Sequence, residues 1–395
     1  MSTNGTAPEP PERLPEDPSD RLPERPGIVD VARRAGVSVA TVSRALRGLP
    51  NVSRDTRTRV LTAADELGYS ASPLASGLAT GRMRAVGVVL PYAGGWFFAE
   101  VVRGIEQALR RHGYDLVLHV LADEHRRREF FASLPVRRRV DAILVVGLEL
   151  DDEEAEVLRS LGLPLAWVGE PVEGGHGELV DDVAAARVAV QHLLDLGHSR
   201  IASVGGDAQT SGSARRRTEG YRQALAAAGR APQPGWELDG GFTPEGARAA
   251  VLGLMAAPGE RPTAIFCHSD EMAFGALGAL RELGLHCPRD VSVVGLDGHE
   301  LAATFDLTTV AQPVPELGAQ AARWLVAHLA DAESPEEDDE DEDVDDAPGP
   351  HVHDVRLLVR ASTAPPPSSA RSSAGSSAGS SAGSSAGSSA QSSSG

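Results

Sequence analysis

Apolar positions recur with helical spacing near the amino end. Ile28, Val31, Ala32 and Ala35 stand at i, i+3, i+4 and i+7, which places them on one face of a short helix. Gly36 supplies a residue that ends this helix, and Ser38 a hydroxyl that caps the next. In that second helix, Val39–Arg47, the pattern turns Val42, Ala45 and Leu46 inward and leaves Ala40, Thr41, Ser43, Arg44 and Arg47 outside. Ser53 caps a third helix, closed by Gly68, whose expected inward face is Val60, Leu61, Ala64 and Leu67. Two short helices around a tight turn, backed by a third, form a helix-turn-helix. Small, hydroxyl and arginine side chains on the exposed second helix suit a groove of DNA.

From residue 84 the pattern changes to short apolar runs alternating with amphipathic stretches. The expected strands are Ala85–Leu90, Asp115–His119, Ala142–Val146, Leu165–Val168, Arg200–Val204, Ala264–Cys267 and Ser292–Gly295. Between them lie helical patterns at Phe97–Arg111, Val183–Leu196, Arg217–Ala228, Pro244–Ala256 and Asp270–Leu283. Strands alternating with helices of this length predict βαβ units and parallel sheets. Residues 1–26 are rich in Pro and Glu, and 364–395 repeat Ser, Ala and Gly; both read as disordered.

Composition changes the picture in three places. The formal charge of −19 opposes DNA binding until it is divided along the chain. Asp331–Asp346 holds twelve carboxylates and no Arg, and reads as a disordered acidic insertion over 331–349; the remainder carries −7. Residues 27–82 hold eight Arg and four acids, an excess of +4, so the head is basic. All 37 basic residues are Arg, so each cationic DNA contact must use a guanidinium. The two cysteines, Cys267 and Cys287, form no framework and fit a reducing cytosol. The amino end lacks a signal-peptide pattern, and no apolar run is long enough for a membrane span. The expected location is therefore cytoplasmic, with the nucleoid, and no membrane partner.

The motifs DVARRAGVSVATVSRAL, NVSRDTRTRVLTAADELGY, GHSRIASVGG, SARRRTEGYRQAL, PTAIFCHSDEMAFGAL, DVSVVGLDG and LTTVAQPVPELG follow one another from about residue 27 to about residue 363. In that order they resemble the LacI/GalR family of bacterial transcription regulators. The resemblance implies an α/β chain: an all-α helix-turn-helix head over 27–70, a hinge over 71–82, and an effector-binding and dimerisation domain over 83–363. That domain would comprise two doubly wound subdomains of periplasmic-binding-protein-like type, about 83–198 with 313–330 and about 199–312 with 350–363.

By the same resemblance Val39 and Ala40 face base edges and Arg44 reads guanine. Thr41, Ser43, Asn51, Ser53 and Thr56 then position the phosphates. Pro73–Leu78 corresponds to a hinge helix, with Ala75 and Leu78 in the minor groove, although Ser76 and Gly77 weaken its helical propensity. In doubly wound sheets ligands sit beyond the carboxyl ends of strands. There the chain carries Trp96, Phe97, Asp181, Arg217, Phe242, Ser269, Asp270, Asp297 and Gln312, a set of rings, carboxylates and Arg suited to a sugar or sugar derivative. Asp181 and the phenylalanines also read as a helix cap and as core. Gly95-Trp96 and Asp297-Gly298 depart from the family's usual Asn-Pro and Asp-Asp, so the effector is expected to differ from the common sugars.

Arg126–Arg128 and Arg137–Arg139 read as solvated surface, and His351 with His353 as a strand edge without a metal. No P-loop, GxSxG, HExxH, paired-Cys zinc spacing or Gly-rich dinucleotide turn occurs, so neither catalysis nor a cofactor is expected. The expected function is a homodimeric repressor released from palindromic duplex DNA by a small effector. A corepressor-dependent regulator, an activator, a sugar-transport component and a phosphosugar enzyme are the rival readings.

Overall fold

A computed structural model describes residues 26–46, 49–69, 82–331 and 349–367. Arg47, Ala75 and Leu78 lie outside these residues, as do nearly all of the expected hinge, the acidic insertion and both tails.

The head is three helices, α1 (Ile28–Ala35), α2 (Val39–Leu46) and α3 (Arg54–Leu67). Gly36 adopts φ 67°, a left-handed conformation open to glycine at little cost, and its N–H returns to Ala32 O. The Ser38 hydroxyl then accepts from Thr41 N at 3.2 Å and starts α2. Val31, Ala32, Ala35, Val42, Ala45, Val60, Ala63 and Ala64 fill the core. All eight are alanine or valine, which lets three short helices approach closely. One expectation fails here: Leu61 is 45% exposed, and Ala63 takes the inward place beside Val60 and Ala64.

The rest of the described chain divides into two lobes. One holds residues up to Gly94, Phe98–Leu179 and Pro315–His351; the other holds Gly95–Phe97, Val180–Val314 and the residues from Val352. In chain order the elements are β1 (Ala85–Leu90), α4 (Trp96–Arg111), β2 (Asp115–Val120), α5 (Glu124–Ser133), β3 (Ala142–Val146), α6 (Asp152–Arg159), β4 (Leu165–Val168) and β5 (His176–Val180). Next come α7 (Asp182–Asp195), β6 (Ile201–Gly205), α8 (Gly212–Ala227), β7 (Glu237–Asp239), α9 (Pro244–Ala256), β8 (Ala264–Cys267), α10 (Asp270–Glu282) and β9 (Ser292–Asp297). They end with β10 (Thr308–Ala311), α11 (Val314–Asp331), β11 (His351–His353) and β12 (Arg356–Leu358).

The first sheet runs β11-β5-β4-β3-β1-β2, with β1 to β5 parallel. Every residue of β1, β3 and β4 is buried, as helices on both faces require. On one face Val89, Ile143, Val145, Leu158 and Trp167 form the core. On the other, α4 meets α11 closely: a Cβ at Gly104 would lie 1.9 Å from Pro315 O, so no larger residue fits there.

The second sheet runs β12-β10-β9-β8-β6-β7, parallel except for β12 against β10. Its lobe begins at Val180 rather than at 199. The reason is α7: Ala185, Ala186, Ala189, Val190 and Leu193 pack into the cluster of Ile201, Tyr221, Leu225, Phe266 and Val310. Tyr221 donates to Ile201 O at 2.8 Å inside that cluster, and burial pushes its phenol well above the usual range.

Candidate DNA interface and effector site

The second helix of the head presents its outer face to solvent. Val39 is 42% exposed, which settles that it is not core, and Ala40 and Arg44 are exposed beside it. Thr41 and Ser43 are half-buried, and the Thr41 hydroxyl lies 2.9 Å from that of Ser38. Arg44 forms no ion pair among the described residues, so its guanidinium is available to an outside acceptor. The loop that follows is shaped by local bonds. Asn51 adopts φ 69°, a conformation Asn tolerates better than most residues. The Ser53 hydroxyl accepts from Thr56 N at 3.2 Å and donates to Thr56 Oγ1 at 2.8 Å, capping α3. These bonds satisfy the cap and also hold two hydroxyls beside the helix start, where backbone N–H groups favour phosphate.

In the second lobe, several expected effector residues meet at the carboxyl edge of the sheet. Arg217, on α8, is 6% exposed and donates from Nε to Asp182 Oδ1 at 2.7 Å. Its Nη1 donates to His268 O and lies 3.8 Å from Asp297 Oδ1. Asp297 ends β9 with φ 134°, a backbone region rarely used by residues with a side chain. Gln312, after β10, donates from Nε2 to the same Asp297 oxygen at 2.8 Å, and its backbone N–H bonds Asp297 O at 3.0 Å. Burial drives the Asp297 carboxyl well above its ordinary range, and the Arg217 charge opposes that shift. Arg217, Asp297 and Gln312 therefore form one connected group able to offer donors and an acceptor to hydroxyls.

The other expected residues play different local parts. Asp270 is wholly buried; its Oδ2 accepts from Gly298 N at 2.9 Å and His299 N at 2.8 Å, bracing the turn that carries Asp297. Ser269 caps α10 through Met272 N, and the exposed Asp181 caps α7 through Ala184 N. Phe242 adopts φ 51° and its ring lies over Gly206, where a Cβ would come within 2.3 Å of it. Trp96 stacks on His299 with centroids 4.9 Å apart; its indole N–H donates to Glu300 and its backbone N–H to Glu271 at 3.1 Å. Phe97 is half-buried.

Residues 27–72 match the family model of bacterial regulatory proteins of the lacI family, and residues 190–363 match that of the periplasmic binding protein-like domain. The chain is 34% identical to catabolite control protein A of Priestia megaterium over 76% of its own length and 92% of that protein. It is 34% identical to the transcriptional repressor CytR of Escherichia coli K12 over 85% of its length and 95% of CytR. The chain belongs to the LacI family. Among solved structures of this family it resembles the lac repressor dimer bound to operator and the anti-inducer ONPF, with TM-score 0.73 and 26% identity, covering 86% of this chain and all of that one. It also resembles a CelR–cellobiose complex, with TM-score 0.61 and 32% identity over 86% of this chain and all of that one. As a LacI-family member it is a DNA-binding transcriptional regulator with a helix-turn-helix head and two parallel-sheet α/β lobes.

The family motifs did not single out four residues of this chain. Asp182, not its neighbour Asp181, holds the arginines: it takes Arg217 and also Arg216, whose Nη2 lies at 3.0 Å. The adjacent acids Asp181-Asp182 were visible, but which one faces inward depends on the phase of α7. The His268 ring bonds Ser203 Oγ at 2.9 Å, and burial with the nearby Arg217 lowers it to about 3, so it is neutral. His299 is the stacking partner of Trp96. In the head, Arg57 donates to Leu49 O at 2.7 Å and fixes the loop after α2. No described helix is long and apolar enough to cross a membrane.

Proposed function

We propose that this chain is a ligand-responsive repressor that acts as a homodimer on near-palindromic duplex DNA in the cytoplasm, at the nucleoid. Val39, Ala40 and Arg44 read base edges, while Thr41, Ser43, Asn51, Ser53 and Thr56 position phosphates. The ligand is a small polyhydroxy compound, a sugar or sugar derivative, bound through Arg217, Asp297 and Gln312 with rings from Trp96, Phe97 and Phe242. Asp181, Ser269 and Asp270 shape the edge on which it rests. The single observation that carries this reading is Arg44, exposed on the outer face of a tightly packed second helix and without an ion pair among the described residues. It supplies a reading group on a rigid support.

Regulation requires that the ligand bind the DNA-competent and DNA-incompetent populations with different affinity. A thermal-shift panel of neutral sugars and nucleosides finds the ligand, because one that prefers the native state raises the melting temperature. Adding that compound to the complex with the chain's own promoter DNA then decides its sign. Falling affinity identifies an inducer and rising affinity a corepressor. The proposal fails if the purified chain ignores promoter and random duplex alike at low salt.

A further inference from the structure

We infer that the amino-terminal edge of the first lobe's sheet is a second DNA-backbone surface, distinct from the helix-turn-helix. The segments entering three adjacent strands each bring arginine to this edge. Arg84 immediately precedes β1, Arg111 ends the helix before β2, and Arg137 and Arg138 lie in the turn before β3. All four are exposed, and none pairs with a carboxylate among the described residues.

Backbone bonds show that these segments are neighbours in space. Asp115 N donates to Arg84 O at 2.8 Å, and a Cβ at Gly113 would lie 3.5 Å from Arg84 Nη1. Asp141 N donates to Ala85 O at 2.8 Å, while the Asp141 carboxylate takes Met83 N at 2.8 Å and Arg84 N at 2.6 Å. The carboxylates nearby are already engaged or outnumbered. Asp141 is bound to those N–H groups, and Glu106, on the helix that ends at Arg111, pairs with Arg110 at 3.3 Å. Asp115 is the exposed acid that remains beside them. Arg139 shares the turn, but its charge acts on His119, which it helps to lower, so it is not counted here.

Two of the four arginines also sit where the backbone favours another residue. Arg84 has φ 51° and Arg138 φ 61°, conformations that glycine or asparagine adopts at less cost.

Duplex DNA is the partner this edge fits. A planar guanidinium takes a phosphate through two parallel bonds. Three adjacent strands span roughly 10 Å, while a duplex presents one charge per ~1.7 Å of its axis. In sequence, the edge follows the DNA-reading head. Twelve residues, 70–81, separate the described head from Arg82, a span of at most about 47 Å for a chain of that length. A rival counter-ion is encoded in the same chain. Arg82 donates to Leu329 O at 2.7 Å, so the last turn of α11 lies at this edge, and the acidic run Asp331–Asp346 begins there in sequence.

The inference rests on the head's binding DNA, and the experiment separates the two. Affinity of the full chain for a 40-bp random duplex is measured by fluorescence anisotropy across a salt series. It is compared with a variant carrying Arg84→Ala, Arg111→Ala, Arg137→Ala and Arg138→Ala. The slope of log K against log salt is expected to become shallower by about 0.9 for each lost phosphate contact, up to about 3.6 for the four of one protomer and about 7.2 where both edges of a homodimer engage the duplex. The four corresponding Arg→Lys changes should keep most of the slope, because the charges remain, and they control for misfolding. Slopes that coincide for wild type and the Ala variant overturn the inference. A difference that emerges only after residues 332–346 are deleted also overturns it, assigning the edge to the chain's own acids. A wild-type chain that binds no duplex at any salt is a separate failure, that of the head.

Discussion

Two adjacent aspartates at the start of α7 should differ several-fold in what their removal costs. Asp182 is 4% exposed and holds Arg217 at 2.7 Å and Arg216 at 3.0 Å. Removing one partner of a buried ion pair costs about 3–5 kcal/mol, because the remaining charge is left without its counter-ion. Two facts place Asp182→Ala near the lower end. Arg217 keeps the His268 carbonyl and has Asp297 at 3.8 Å, and Arg216 is exposed enough for water to replace its partner. The expected loss is about 3 kcal/mol. Asp181→Ala removes only the cap bond to Ala184 N, worth about 1 kcal/mol, and Asp181 is otherwise exposed. Asp182→Asn should fall between them, since it keeps one oxygen acceptor without the charge. Urea unfolding of the three variants at constant m-value measures the differences. If Asp182→Ala and Asp181→Ala agree within about 0.5 kcal/mol, then the arginine pair is not the buried unit described above.

Three other changes test the remaining parts of the reading. Arg44→Ala should cost about 1–3 kcal/mol at one base position of the operator, measured by affinity for single-base variants; an equal loss on all sequences would make Arg44 a phosphate contact. Asp297→Ala should abolish the ligand-induced thermal shift while leaving duplex affinity unchanged, and an unaltered ligand Kd would remove Asp297 from the site. His268 is held down to about 3 by burial, so the folded state resists a proton that the unfolded chain accepts near 6.5. Its stabilising effect is complete above 6.5 and is lost as pH falls toward 3; wild type should therefore lose about 2 kcal/mol more than His268→Gln between pH 6.5 and 5, by urea unfolding.

How far the sequence disclosed this molecule depends on which residues face two ways at once. β1, β3, β4 and β8 were legible to the residue because both faces of a central parallel strand are buried, which leaves an unbroken apolar run. The strands that escaped notice lack such a run. β5 carries His176 and Glu178, and the buried Glu178 is satisfied by His176 at 2.8 Å and His351 at 3.0 Å, pairings that no linear pattern announces. β7 and β12 are three-residue edge strands, one with acids at both ends and one opening on Arg356, too short for any period to show. Helix phase sets the same limit at the site. A run of small residues such as that in α3 leaves the inward stripe undetermined within one position, and so Ala63 rather than Leu61 packs against Val60. The Asp181-Asp182 pair shows the functional side of this ambiguity. A cap needs only a side-chain oxygen near the first free N–H groups, whereas an arginine brace needs the next position, turned by about 100° into the lobe. Sequence supplies both carboxylates; only packing of the alanine face of α7 on α8 decides which one meets Arg217.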